Sequence, residues 1–204
     1  MKKVCIIVGI IILVVIVAVL MIKPKGPDIK QYQNLLNPAI SEKADQNMLV
    51  VEGKGDPSVV AGKAIALLYK TYYSLKGVPK SFQMVAPRSR WPVAEDTPKN
   101  QWLGQFGIPI PETVNSLPEI KNPGDLKVSI TKWPYGTVAE ILHKGPYATE
   151  KETVRRLTNY VTEQGYTIVG THEEEYLKGP GMFGPGNPDK YLTIIRYQVK
   201  KTGN

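Results

Sequence analysis

The chain has 204 residues, 42% hydrophobic and 22% charged, with one cysteine and a formal net charge of +8. That length suits one membrane segment and one domain of ordinary size, and a lone cysteine excludes a disulfide within the chain. Half of the net charge comes from Lys2, Lys3, Lys23 and Lys25 around one apolar segment, and no run of four Lys or Arg occurs, so no nucleic-acid partner is expected.

Residues 4–22 are nineteen residues without a charge, a polar amide or a proline. As a helix they would span about 28 Å, roughly the hydrocarbon thickness of a bilayer. A core helix would not be apolar on every face. A cleaved signal peptide is the alternative, but cleavage after Ala18 would put Ile16 where a small residue belongs. An uncleaved single-pass anchor is therefore expected, with Cys5 as an apolar filler. Basic residues lie on both sides, and the short tail before the segment tips the expectation toward an extracytoplasmic domain. Residues 23–47 read as a linker opened by Lys23-Pro24-Lys25-Gly26-Pro27, and residues 48–204 as the domain. The 25 residues between anchor and domain cannot hold a helix-turn-helix module, which excludes a transcription factor.

The domain reads as two halves, about 48–111 and 126–204. In the first, a strand ends at Gly55 and a helix over 57–76 carries an apolar stripe of Val60, Ala64, Leu67, Leu68, Thr71 and Leu75. Strands over 81–88 and 101–108 follow. Residues 112–125 connect the halves, and 126–133 supply a further strand. The second half repeats the outline: a strand ending at Gly145, a helix over 149–164, then strands over 167–177 and 191–200. Thr149 and Glu152 have capping-box spacing, and Gly165 sits where a left-handed C-cap belongs. Ile168, His172, Glu174 and Tyr176 share one strand parity. The run Glu173-Glu174-Glu175 is anomalous, because at least one carboxylate should face the apolar side unless the strand frays and all three are solvated. The fold class is α+β: two pseudo-symmetric βαββ halves forming an antiparallel sheet, helices on one side, a central groove between the halves.

Chemistry is sparse. His143 and His172 are the only histidines, no pair has ligand spacing, and no metal or cofactor is expected. There is no G-x-S-x-G elbow. Residues 55–63 miss the phosphate-loop spacing, and Ala64 replaces its Ser/Thr. Aromatic residues are the main asset. Tyr72, Tyr73, Trp91, Trp102, Tyr147, Tyr176, Tyr191 and Tyr197 fall on elements that border the groove. Aromatic faces with a buried carboxylate suit a lipophilic cation. Met182 and Phe183, in the glycine-proline loop 179–188, would either fold over the groove or plug the domain edge.

The segments A-E-I-L-H-K-G-P-Y at 139–147, E-E-Y-L-K-G-P at 174–180 and T-I-I-R-Y-Q-V at 193–199 resemble the GyrI-like small-molecule-binding domain. This module serves as the effector-binding part of AraC- and MerR-type regulators and also occurs as a free protein. The resemblance implies the same architecture, with ligands in the central groove. By position in the E-x-Y motif, Glu174 is the pocket glutamate, which meets cationic drugs in regulators, and Tyr176 its tyrosine. In some free members the same pair serves hydrolysis of strained electrophiles. His143 falls on the motif histidine, where a strand-end bond to backbone is expected. The expected function is a membrane-anchored binding module for small, mostly apolar molecules, cationic ones among them. Its ligand-binding residues are Glu174, Tyr176, Tyr147, Trp91, Trp102, Tyr72 and Phe183. The alternatives are a hydrolase using Glu174 and Tyr176, and a protein-interaction module of gyrase-inhibitor or envelope type.

Overall fold

The computed structural model describes residues 29–80, 84–92, 97–120, 124–180, 184 and 186–203. The expected anchor and the loop residues Met182 and Phe183 lie outside them. Among the described residues, no helix is long and apolar enough to cross a membrane.

The strands are β1 (Ala39–Lys43), β2 (Gln46–Lys54), β3 (Arg88–Arg90), β4 (Leu103–Pro109), β5 (Lys127–Trp133), β6 (Gly136–Lys144), β7 (Tyr166–Ile168), β8 (Glu173–Lys178) and β9 (Leu192–Lys201). Helix α1 is Pro57–Ser74 and α2 is Glu150–Glu163. The sheet runs β1-β6-β9-β8-β3-β4-β2-β5, with β7 on β9, and every pairing is antiparallel. Read from the centre outward, β8-β9-β6 mirrors β3-β4-β2, so each half is a βαββ unit. The first strand of each half ends at a glycine with φ +133°, Gly55 and Gly145. L side chains rarely adopt that backbone, so glycine is needed at both turns.

The halves also exchange edges. β1 precedes β2 in the chain but pairs with β6, and β5 precedes β6 but pairs with β2. Lys43 faces Gly136 and Gln46 faces Trp133, three residues further along each strand, so one antiparallel ribbon continues through both pairings. This corrects the expected linker. From Ile29 onward residues 23–47 belong to the domain: Leu35, on a 3-10 helix spanning Ile29–Leu36, is buried with Ala86, Leu177 and Ile194. The reason is that β6 needs an edge partner for its backbone hydrogen bonds, and β1 supplies it.

Two further boundaries differ. Among the described residues of the strand expected over 81–88, the strand begins at Arg88 and runs to Arg90, and the strand expected over 167–177 is split into β7 and β8. The expected capping box is not formed. A 3-10 turn, Tyr147–Thr149, runs directly into α2, and Thr149 has φ −100° and ψ 4° rather than an extended N-cap conformation. Its hydroxyl donates to the Pro146 carbonyl at 2.9 Å, and Glu152 binds Arg155 instead. Helix α1 does have a side-chain cap, with Asp56 accepting from the Ser58 N–H at 2.9 Å.

Both helices cover the same face. Leu67 and Leu68 of α1 pack on Leu49, Val51, Phe106 and Ile108, while Leu157 and Val161 of α2 pack on Ala139, Ile141, Ile195 and Val199. Each such side chain, fully buried, is worth about 1.5–3 kcal/mol. The opposite face carries Met48, Val50, Trp133 and Val138, and beside them a charged layer. There Arg196 binds Glu140, Glu173 and Glu175, Arg90 donates to Glu173 at 2.6 Å, and Arg88 lies 2.9 Å from Glu175. Three guanidiniums thus balance three carboxylates.

Candidate ligand-binding site

Strand alternation settles the acidic run. Glu173, Glu175 and Leu177 point away from the helices, and the two glutamates are buried in the charged layer. Burial alone would raise the Glu175 carboxyl; the Arg88 and Arg196 guanidiniums outweigh it and hold it below its ordinary value. His172, Glu174 and Tyr176 point the other way, into a groove of about 1150 Å³ between α1 and α2. The α1 wall is Ser58, Ala61, Gly62, Ile65 and Tyr69, one helical stripe turned about a quarter of the circumference from the core stripe. The α2 wall is Glu150, Lys151 and Val154.

The groove floor carries two hydrogen-bonded chains. The Trp91 indole donates to Ser89 Oγ at 3.1 Å, and Ser89 Oγ lies 2.7 Å from the Tyr176 hydroxyl. Burial, and then the charge of Glu174, raise the Tyr176 phenol. Glu174 Oε1 sits 3.1 Å from His172 Nε2, and His172 Nδ1 sits 2.7 Å from the Tyr197 hydroxyl. The Tyr147 ring stands edge-on to Tyr176 at 5.8 Å, and Trp91 packs against Trp102 at 5.7 Å. Trp102 is fixed by its indole N–H on the Thr97 carbonyl at 2.6 Å.

Glu150 faces this floor from the first turn of α2. Its Oε1 is buried and has no hydrogen-bond partner among the described residues. Burial, and then the negative charge of Glu174, push its carboxyl up to about 8. Burial works against a charged His172, but the hydrogen bond and the charge of Glu174 prevail and raise it. Donor atoms of Glu150, His172 and Glu174 all lie within 4.8 Å of one another.

A model of the GyrI-like small molecule binding domain matches residues 36–200. The chain belongs to the GyrI-like small-molecule-binding family. Among solved structures it is similar to an uncharacterized conserved protein from Listeria innocua, with 23% identity over 85% of this chain and 97% of that one and a TM-score of 0.69. It is also similar to a hydrolase from Listeria innocua (22% identity, 84% and 95% coverage, TM-score 0.66). The C-terminal domain of EcmrR is a third (18% identity, 81% and 98% coverage, TM-score 0.59). At these identities the structures share a fold. No curated protein sequence matches the chain.

Within this GyrI-like domain, five of the residues expected at the site come together around the groove: Glu174, Tyr176, Tyr147, Trp91 and Trp102. Tyr72 does not. It is buried in the core under α1 with its hydroxyl 3.3 Å from the Pro79 carbonyl, because it shares the sheet-facing stripe of Leu68 and Leu75. Tyr69, one turn earlier, takes the groove position. Phe183 lies outside the described residues. Of the other aromatics, Tyr197 lines the groove, Tyr191 backs Tyr147 at 5.3 Å, and Tyr73 is exposed. His143 is buried, with Nε2–H donating to the Pro146 carbonyl at 3.2 Å and Nδ1 accepting from Thr153 at 2.8 Å, a structural role. Sequence reasoning missed Glu150 and gave His172 no role. The shared parity of His172 and Glu174 was a usable signal. Glu150 had none, since an acid in the first turn reads as a favourable dipole partner.

Proposed function

We propose that the chain is a membrane-anchored binding protein for small, mostly apolar, cationic molecules, held in the groove against Glu174. The observation that carries this reading is the Glu174 carboxylate at the floor of a groove with Tyr176, Tyr147, Trp91 and Trp102 around it. Ring faces attract a cation, and a carboxylate inside a low-dielectric groove neutralises it more strongly than in water. The unpartnered Glu150 adds a second acceptor on the same side. Benzyltrimethylammonium and its neutral isostere neopentylbenzene, titrated by calorimetry against wild type and Glu174→Gln, test this. The cation should bind wild type more tightly than the isostere, and the substitution should remove that preference. Equal affinities in all four combinations would take Glu174 out of the site.

A second reading, hydrolysis of a small electrophile, is supported by the raised Glu150 carboxyl facing Glu174 across the groove floor. Glu150, held protonated, would give its proton to the leaving group, while Glu174 takes the proton of the attacking water, with Tyr176 orienting it. Here Glu174→Gln should abolish turnover while substrate still binds.

Residues 4–22 are proposed as the uncleaved anchor, with the domain on the extracytoplasmic side. Carbonate-resistant membrane fractionation with Met1 retained in the mass spectrum supports it. Release of a shorter soluble form refutes it, and protection of the domain from protease added to the outside refutes the orientation.

A further inference from the structure

The two carboxyls and the imidazole on the groove floor have a property that a site for organic cations alone does not require. They come from α2, from β8 and from the residue just before β8, and together they are an O,N,O donor set within 4.8 Å. We propose that Glu150, His172 and Glu174 bind a divalent transition-metal ion of the zinc type, with its remaining position open to the groove.

Zinc accepts carboxylate oxygen and imidazole nitrogen at about 2.0–2.2 Å, so ligands sharing one ion stand about 3–3.5 Å apart. Glu174 Oε1 and His172 Nε2 are already 3.1 Å apart. Glu150 is the free member. Its Oε1 is buried without a hydrogen-bond partner among the described residues, and it has to close no more than the difference between 4.8 Å and that spacing. The metal takes the place of the proton that now lies between His172 and Glu174.

The surroundings are those of a ligand set. The Tyr197 hydroxyl at 2.7 Å from Nδ1 fixes the imidazole, and the two rings meet at a 65° angle. With the Nδ1 proton donated to Tyr197, the Nε2 lone pair is directed at the ion, which is the usual outer-shell arrangement for a metal-bound histidine. Tyr176 stands on the same strand face as Glu174 and close enough to feel its charge. Three protein ligands and an open position are the pattern of a site where a metal meets a small molecule rather than one that only supports the fold. An imidazole in the set favours zinc-like ions over magnesium.

The test uses the full-length protein in detergent, freed of metal by chelation and titrated with Zn²⁺ alone by calorimetry. No organic ligand is present, so failure here leaves the organic-cation reading intact. One equivalent should bind, and Mg²⁺ at the same concentrations should not. Glu150→Gln, His172→Gln and Glu174→Gln should each weaken binding by more than the about 10–100-fold that loss of an outer-shell partner costs, and Tyr197→Phe by about that amount. Near-ultraviolet circular dichroism checks that each variant is folded. Co²⁺ bound to wild type gives a readout independent of the variants: visible bands of an oxygen- and nitrogen-ligated ion, without the intense near-ultraviolet thiolate band. A thiolate band would put the ion on Cys5 and overturn the proposal. So would absence of saturable Zn²⁺ binding, or unchanged affinity in all three variants.

Discussion

Arg196→Met is the most informative single change on the far side of the sheet. Arg196 is 2% exposed and binds Glu140, Glu173 and Glu175. Burial disfavours the guanidinium, but the three carboxylates outweigh it and raise its pKa. Methionine keeps much of the aliphatic volume and removes the charge. Glu173 would retain Arg90 and Tyr135, and Glu175 would retain Arg88, but Glu140 has no other basic partner among the ion pairs of the described residues. Its ion-paired groups would change from three charges of each sign to an excess of one carboxylate, with the half-buried Lys43 amine nearby. Breaking a buried pair by removing one partner costs about 3–5 kcal/mol. For a domain of this size, about 2–4 °C of Tm is lost per kcal/mol, so the melting point should fall by about 6–20 °C. Thermal unfolding followed by near-ultraviolet circular dichroism reads this directly. Adding Glu140→Gln should return part of the loss by restoring the charge balance. A fall below about 1 kcal/mol, the value of an exposed pair, would refute the view that this layer is buried and mutually dependent.

Other expectations are separable from that one. Glu174→Gln should weaken cation binding by about 1–3 kcal/mol, one to two decades, measured by the calorimetric comparison with the neutral isostere. Glu175 is held below its ordinary pKa, so its contribution to stability is complete above the ordinary carboxylate range and is lost as pH falls through the lower folded value. The stability gap between wild type and Glu175→Gln should therefore narrow on acidification, as urea titrations at a series of pH values would show; a constant gap would contradict the assignment. Gly62→Trp, which projects from α1 into open space at the groove, should weaken ligand binding at least about tenfold while leaving the melting point near wild type, since a Cβ added there meets no atom within 4 Å. Gly145→Ala should cost about 1–3 kcal/mol because φ is +133° there, and Gly55→Ala a similar amount if the two turns are equivalent.

Most of the elements were legible in the sequence because their signals are local. The apolar stripe of α1, the glycine ends of β2 and β6, and the alternation that sends Glu174 and Tyr176 to one face all follow from side-chain period and backbone allowance within about ten residues. The family motif reached further and assigned Glu174 and Tyr176 to the pocket, while Tyr147 followed from its element bordering the groove. Tyr72 failed as a site residue for the opposite reason. Two adjacent stripes of one helix differ by a rotation that only packing fixes, and Tyr69 won the groove side.

What the tertiary structure alone decided is non-local. The edge exchange joins β1 to β6 and β5 to β2 across about a hundred residues of chain, and no periodicity records which strand lies beside which. Alternation divides the three glutamates between the faces, but only their partners show which face can bury two of them. Arg88, Arg90, Arg196 and Glu140 come from β3, β9 and β6, and their charges make two buried carboxylates tolerable on one face while Glu174 serves the other. Glu150 shows the same limit most sharply. Its residue type and helix position describe an ordinary exposed first-turn acid. Its role depends on the distance to His172 and Glu174, which the packing of α2 on the sheet sets and the local sequence does not.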